Sequence, residues 1–199
     1  MISDVITITR GDEMEAALDL VKKTAAYNRL SSKGALHLSL LTEEMMGMMR
    51  SITGESTGKF WIESENGVYK LHLKVDSVIG QQKREQLLDT ASTGKNESSK
   101  GLMGRLREFF FRNANDQIAA YSSPILAGGL TRDGSRPVTD SQWSMTLYQE
   151  ALNSQKTEKH EAAEAWDELE KSVVSHVADD VKISIEGWQT EMVIVKKLA

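Results

Sequence analysis

The chain contains no cysteine. Disulfides and thiolate metal sites are therefore excluded, and the composition fits a reducing compartment. Proline is scarce. Both prolines, Pro124 and Pro137, fall in "SSPILAGGLTRDGSRP", a glycine-rich stretch that cannot be one regular element. No apolar run approaches the ~20 residues that span a bilayer, so membrane insertion is not expected. The first residues, "MISDVITITRGDEMEAALDL", carry acids early and lack a basic-then-apolar pattern, so a signal peptide is not expected either. The expected location is the cytoplasm. A basic excess is also missing: 24 Lys and Arg stand against 29 Asp and Glu, for a net charge of −5. A dedicated nucleic-acid binder carries the opposite balance, so no nucleic-acid partner is expected.

Other absences narrow the chemistry. The four histidines, His37, His72, His160 and His176, are scattered and form neither HExxH nor a His/Asp pair at ligand spacing. Structural or surface roles suit them best. "GESTGKF" (54–60) is not a Walker loop: three residues separate its glycines instead of four, Phe60 replaces the Ser or Thr, and a strand follows where a helix must open. Glu43 and Glu44 are paired acids, but neighbours on a helix diverge by about 100°, so only one can point into a given site.

What is present reads as a single domain over residues 1–199, long enough to bury a core without staples. "DVITITR" (4–10) alternates as a strand, and a helix follows through about Leu30. A second helix, roughly 35–52, is apolar nearly all round and should be central and buried. "KFWIES" and "GVYKLHLKV" are strands joined by "ENG", and Asn-Gly between two such runs is a strong hairpin signal. Residues 81–92 and about 102–112 look helical, as do 141–155 and 158–178. "DVKISI" and "TEMVIVKKL" close the chain as a second hairpin turned at "EGWQ". Hairpins interrupted by helices predict an α+β fold: a two-layer sandwich with a mixed, mostly antiparallel sheet and helices on one face.

Two features point toward function. Glu43 follows Leu40 by three residues and Leu36 by seven on an otherwise apolar stripe, and Gly47 continues that stripe four residues later. An acid there is desolvated, paired or lining a cavity, unless the helix simply has one wet edge. The second feature is "TASTGKNESSKGLMGRLREFF" (90–110), where eight of the first fifteen residues are Gly, Ser or Thr before an apolar, basic run begins. Between Gln81 and Arg112 seven bases oppose four acids, a locally positive window that would suit a small polyanion.

These stretches, in this order, resemble the Bergerat-fold ATP-binding domain of the gyrase and histidine-kinase superfamily. The layout is closest to that of the small bacterial anti-sigma-factor serine kinases. In that family a helix carries Glu as general base and, four residues on, an Asn that chelates Mg²⁺. Here "LLTEEMMGMMRSI" places Glu43 at the acid position and Gly47 at the Asn position, so no side-chain metal ligand is supplied and Mg²⁺ is doubtful. The family's Asp-x-Gly-x-Gly box follows a strand and binds adenine. "VDSVIG" matches it at Asp76 and Gly80, with Val78 in place of the first Gly. A glycine-rich lid running into a helix holds the phosphates, and "STGKNESSKGLMGRL" supplies Gly94, Lys95, Asn96, Gly101 and Gly104. The resemblance covers roughly 1–112 and 163–199 and leaves an insertion at 113–160. It implies a regulatory domain that binds ATP or ADP with catalysis weak or lost, a protein partner, and a homodimer by analogy. A scaffold that kept the fold and lost the nucleotide is the alternative.

Overall fold

The structure is a computed structural model that describes residues 1–8, 13–53, 57–76, 106, 109, 141–155, 166–167, 169–186 and 189–198. Six strands form one sheet: β1 (Ile6–Ile8), β2 (Gly58–Glu65), β3 (Val68–Asp76), β4 (Ser141–Ser144), β5 (Asp180–Glu186) and β6 (Gln189–Lys197). Among the described residues, four helices with defined bounds accompany them: α1 (Glu13–Tyr27), α2 (Ser32–Thr53), α3 (Met145–Gln155) and α4 (Val173–Val177). The strand order is β1-β2-β3-β6-β5-β4. Every pairing among the described residues is antiparallel, so the expected mixture with parallel strands is not seen there.

The sheet is assembled from the two predicted hairpins. Asn66 and Gly67 both take positive φ, 49° and 76°, which is the two-residue I′ turn whose twist matches the flanking strands. Tyr69, Leu71, Leu73 and Val75 then face inward, and their register partners on β2 include Phe60 and Ile62. On the other side β3 pairs with β6, so Thr190, Met192 and Ile194 continue the same inward rows. Val181, Ile183 and Ile185 of β5 complete them. Fully burying a side chain of this size contributes roughly 1.5–3 kcal/mol, so this one face supplies much of the driving force for folding.

The helices close over that face. Ala17, Leu20, Val21 and Ala25 of α1 recur at helical spacing and are buried, as are Leu38, Leu41, Met45, Met48 and Met49 of α2. Helix α2 packs on β3, β6, α1 and α4, which is why its sequence is apolar nearly all round. Ser31 caps its start, its Oγ accepting from the Gly34 amide at 3.2 Å.

Two predicted helices are corrected. The segment 141–155 begins as an edge strand, and its helix starts only at Met145. Trp143 pairs with Ile183 and packs against the core, while Ser144 and Asp180 hold the helix start: Asp180 Oδ1 accepts from the Thr146 amide at 3.1 Å and from Ser144 Oγ at 3.1 Å. That sheet pairing outweighs the helical periodicity of the first four residues. The segment 158–178 is not continuous either. A turn at Lys171 precedes α4, and Ser175 Oγ folds back onto the carbonyls of Leu169 and Ser172. Of the predicted helices at 81–92 and 102–112, only Leu106 and Phe109 are described, both helical. Residues 113–140 and 156–160 of the expected insertion lie outside the described residues.

Candidate functional site

The central helix fixes where the candidate residues lie. Near its start, a Cβ on Gly34 would come within 3.4 Å of Leu198 Cδ1, and the Leu198 amide donates to the Gly67 carbonyl at 2.8 Å. The first turn of α2 therefore sits beside the β2–β3 turn. From there α2 runs over β3 and β6 for 22 residues, about 33 Å at 1.5 Å per residue. Its second half lies toward the end of the sheet where β3 finishes at Asp76.

Glu43, Glu44 and Gly47 occupy the one edge of α2 that packing leaves open. All three are exposed, and Leu36 on the same edge is 57 % exposed. The buried side is set by Leu38, Leu41, Thr42 and Met45, with the Thr42 hydroxyl donating to the Leu38 carbonyl at 2.8 Å. Glu43 is thus not desolvated, and α2 is a buried helix with one wet edge. At Gly47 an added Cβ would meet nothing within 4 Å. Neither close packing nor a left-handed backbone accounts for a glycine there.

Asp76 ends β3 in register with Gln189, and its Oδ1 accepts from Gln189 Nε2 at 3.0 Å. It belongs to the row of Lys70, His72 and Lys74, which points away from the helices, because Val75 beside it points inward. Asp76 therefore lies on the outward face of the sheet and the Glu43–Gly47 edge on the helix layer, with the sheet between them. Gly58 lets the strands close at the Asp76 end of the sheet: a Cβ there would be 2.8 Å from Val75 Cγ1. Gly80, Gly94, Lys95, Asn96, Gly101 and Gly104 lie outside the described residues. Among the described residues, no group of three or more His, Cys, Asp or Glu is arranged to hold a metal ion.

Sequence reading overlooked two polar positions. Thr190 is fully buried on the inward face of β6, beside Val75 at the same end of the sheet. Its signal is a hydroxyl at an inward position of the alternating "TEMVIVKKL". His72 stands in the outward row of β3 with Lys70 and Lys74, yet it is buried there. It stacks on Trp61 with ring centroids 4.6 Å apart and contacts Glu191 through Nδ1 at 2.9 Å. Compared with known proteins, the chain matches no family model, no curated protein and no solved structure.

Proposed function

We propose that this chain is a regulatory domain that binds ATP or ADP over the open edge of α2, with phosphoryl transfer weak or absent. The observation that carries this reading is the edge itself. A helix buried on every other side leaves Glu43, Glu44 and Gly47 uncovered, and nothing lies within 4 Å of a would-be Gly47 side chain. Glu43 is then the general base of any residual turnover. Asp76 and Gly80 are the adenine-side residues, and for Asp76 that role requires its carboxylate to leave Gln189 and turn past the end of β3 toward the helix layer. The basic, glycine-rich 94–104 stretch, with Gly94, Lys95, Asn96, Gly101 and Gly104, serves the phosphates. Two carboxylates beside a polyphosphate repel it unless bases or a cation intervene, and the bases between Gln81 and Arg112 are the chain's local supply. Gly47 brings no side-chain oxygen for Mg²⁺, on which in-line phosphoryl transfer usually depends.

A second reading has its own observation. Asp76 already spends its carboxylate on Gln189, on the face away from α2. In that reading the chain is an interaction scaffold for a protein partner, and Glu43 and Glu44 are solvated acids.

A thermal melt with ATP or ADP, with and without Mg²⁺, separates the two. Ligand at 100-fold excess over its dissociation constant stabilises the native state by about 2.7 kcal/mol. For a chain of this size that raises Tm by several degrees. The nucleotide reading expects such a shift, little changed by Mg²⁺ and lost in Asp76→Ala. No shift at millimolar nucleotide would leave the scaffold reading standing. Phosphate release above a Glu43→Ala control would show turnover.

A further inference from the structure

The outward side of the sheet holds a buried histidine where solvent would be expected. His72 stands in the outward row of β3 yet is only 8 % exposed. Three groups wall it in. Trp61, its register partner on β2, lies nearly parallel to the imidazole at 12°. From β6, Glu191 places Oε1 2.9 Å from Nδ1, and from β2, Glu63 places Oε2 3.5 Å from Nε2. The other charged groups on this face are Lys70, Lys74 and Asp76 on the same strand, Lys59 and Glu65 on β2, Lys197 on β6 and, beyond Val193, Asp180, Lys182 and Glu186 on β5. Lys70 Nζ is 3.8 Å from the same Glu63 oxygen.

The two carboxylates thus face opposite nitrogens of one ring. A neutral imidazole has a single N–H, whereas the cation has two, so only the charged ring can donate toward both. Without the second proton the contacts are unequal. The short Nδ1 contact to Glu191 retains its hydrogen bond, and Glu63 still has Lys70. Nε2, which has no hydrogen-bond partner although it is buried, is left as an acceptor facing a carboxylate.

We propose that His72 is a proton-operated strap on the outward sheet face. When charged, it ties β2 and β6 to β3 through Glu63 and Glu191 with Trp61 held flat against it. When neutral, it keeps Glu191, releases Glu63 and loosens Trp61. Histidine is the side chain suited to such a change, since its charge ordinarily alters between about pH 5 and pH 8.

Nitrogen-15 NMR of the full chain reads the ring directly. Spectra of the His72 imidazole and the Trp61 indole are followed from about pH 8 to about pH 5. At the upper end the single ring proton is expected on Nδ1, and at the lower end both nitrogens carry one. The Trp61 indole resonance is expected to move in the same step, to lose that step in His72→Gln, and to move by a smaller amount in Glu63→Gln. The wild-type tautomer needs no variant, so the test survives a His72→Gln chain that fails to fold. A neutral ring protonated on Nε2 would overturn the strap. So would a ring whose protonation does not change across the range, or a Trp61 step that persists in His72→Gln.

Discussion

Replacing Gly47 by alanine should make this protein more stable. Gly47 is sixteenth in the 22-residue α2, where the backbone is helical, and glycine in a helix interior is about 0.8–1.0 kcal/mol less favourable than alanine. Part of that penalty comes from the unfolded chain, whose freedom alanine reduces. The offsetting cost, a clash with the fold, is absent, because a Cβ at Gly47 meets nothing within 4 Å. The net expectation is a gain of about 1 kcal/mol, or a Tm rise of roughly 2–4 °C for a chain of this length. Urea denaturation provides the second measure, with the midpoint moving up and the slope unchanged. A fall in Tm would refute the reasoning. It would mean that the native protein covers the edge of α2, and the placing of a ligand on that edge would fall with it. If stability rises while an ATP-induced shift shrinks, the glycine is being kept for what binds there and not for the fold.

Two other substitutions probe the frame around the site. Burial pushes the Asp179 carboxyl up, but the Lys197 amide, donating to Oδ2 at 2.6 Å, and the Lys196 ammonium, 3.2 Å from the same oxygen, outweigh it and hold the group below its ordinary 3.8. A depressed folded-state value gives stability that is present above 3.8 and is lost as pH falls through the folded value. Wild type should therefore lose Tm more steeply than Asp179→Asn between about pH 5 and pH 2, with the two curves converging at the acid end; parallel curves would show that the latch contributes nothing. Gly67→Ala should destabilise by at least about 1–2 kcal/mol, the cost of a left-handed backbone for an L side chain. Gly67 sits at φ 76°, and its Cβ would lie 2.6 Å from the Leu198 carbonyl oxygen. An unchanged Tm would refute the I′ turn and the docking of the chain end against it.

The frame was legible because its signals are local. "ENG" needs two positive φ angles in succession, and Asn-Gly accepts them at little cost. The alternation of Leu71, Leu73 and Val75 with Lys70, His72 and Lys74 assigns β3 its two faces before any partner is known. The edge strand at 141–144 was not legible, because "SQWS" is no stronger as a strand than as a helix start. Its pairing with β5, about forty residues later, decides the matter, and a sequence pattern does not contain that contact. The candidate site divides along the same line. The apolar stripe of α2 foretold a buried helix but could not say which edge would stay open, since that depends on α1 and the sheet arriving on the other sides. At Asp76 a motif match fixes a residue type and a place in the chain. The side chain's direction follows instead from a parity of one residue: had the acid stood at position 75, it would face α2, and at 76 it faces Gln189. A one-residue offset between a motif and the pleat of its strand is therefore enough to keep the letters of a binding box while turning its carboxylate to the opposite face. For that reason the Asp76→Ala melt with nucleotide discriminates more sharply between a retained site and a scaffold than any variant on α2.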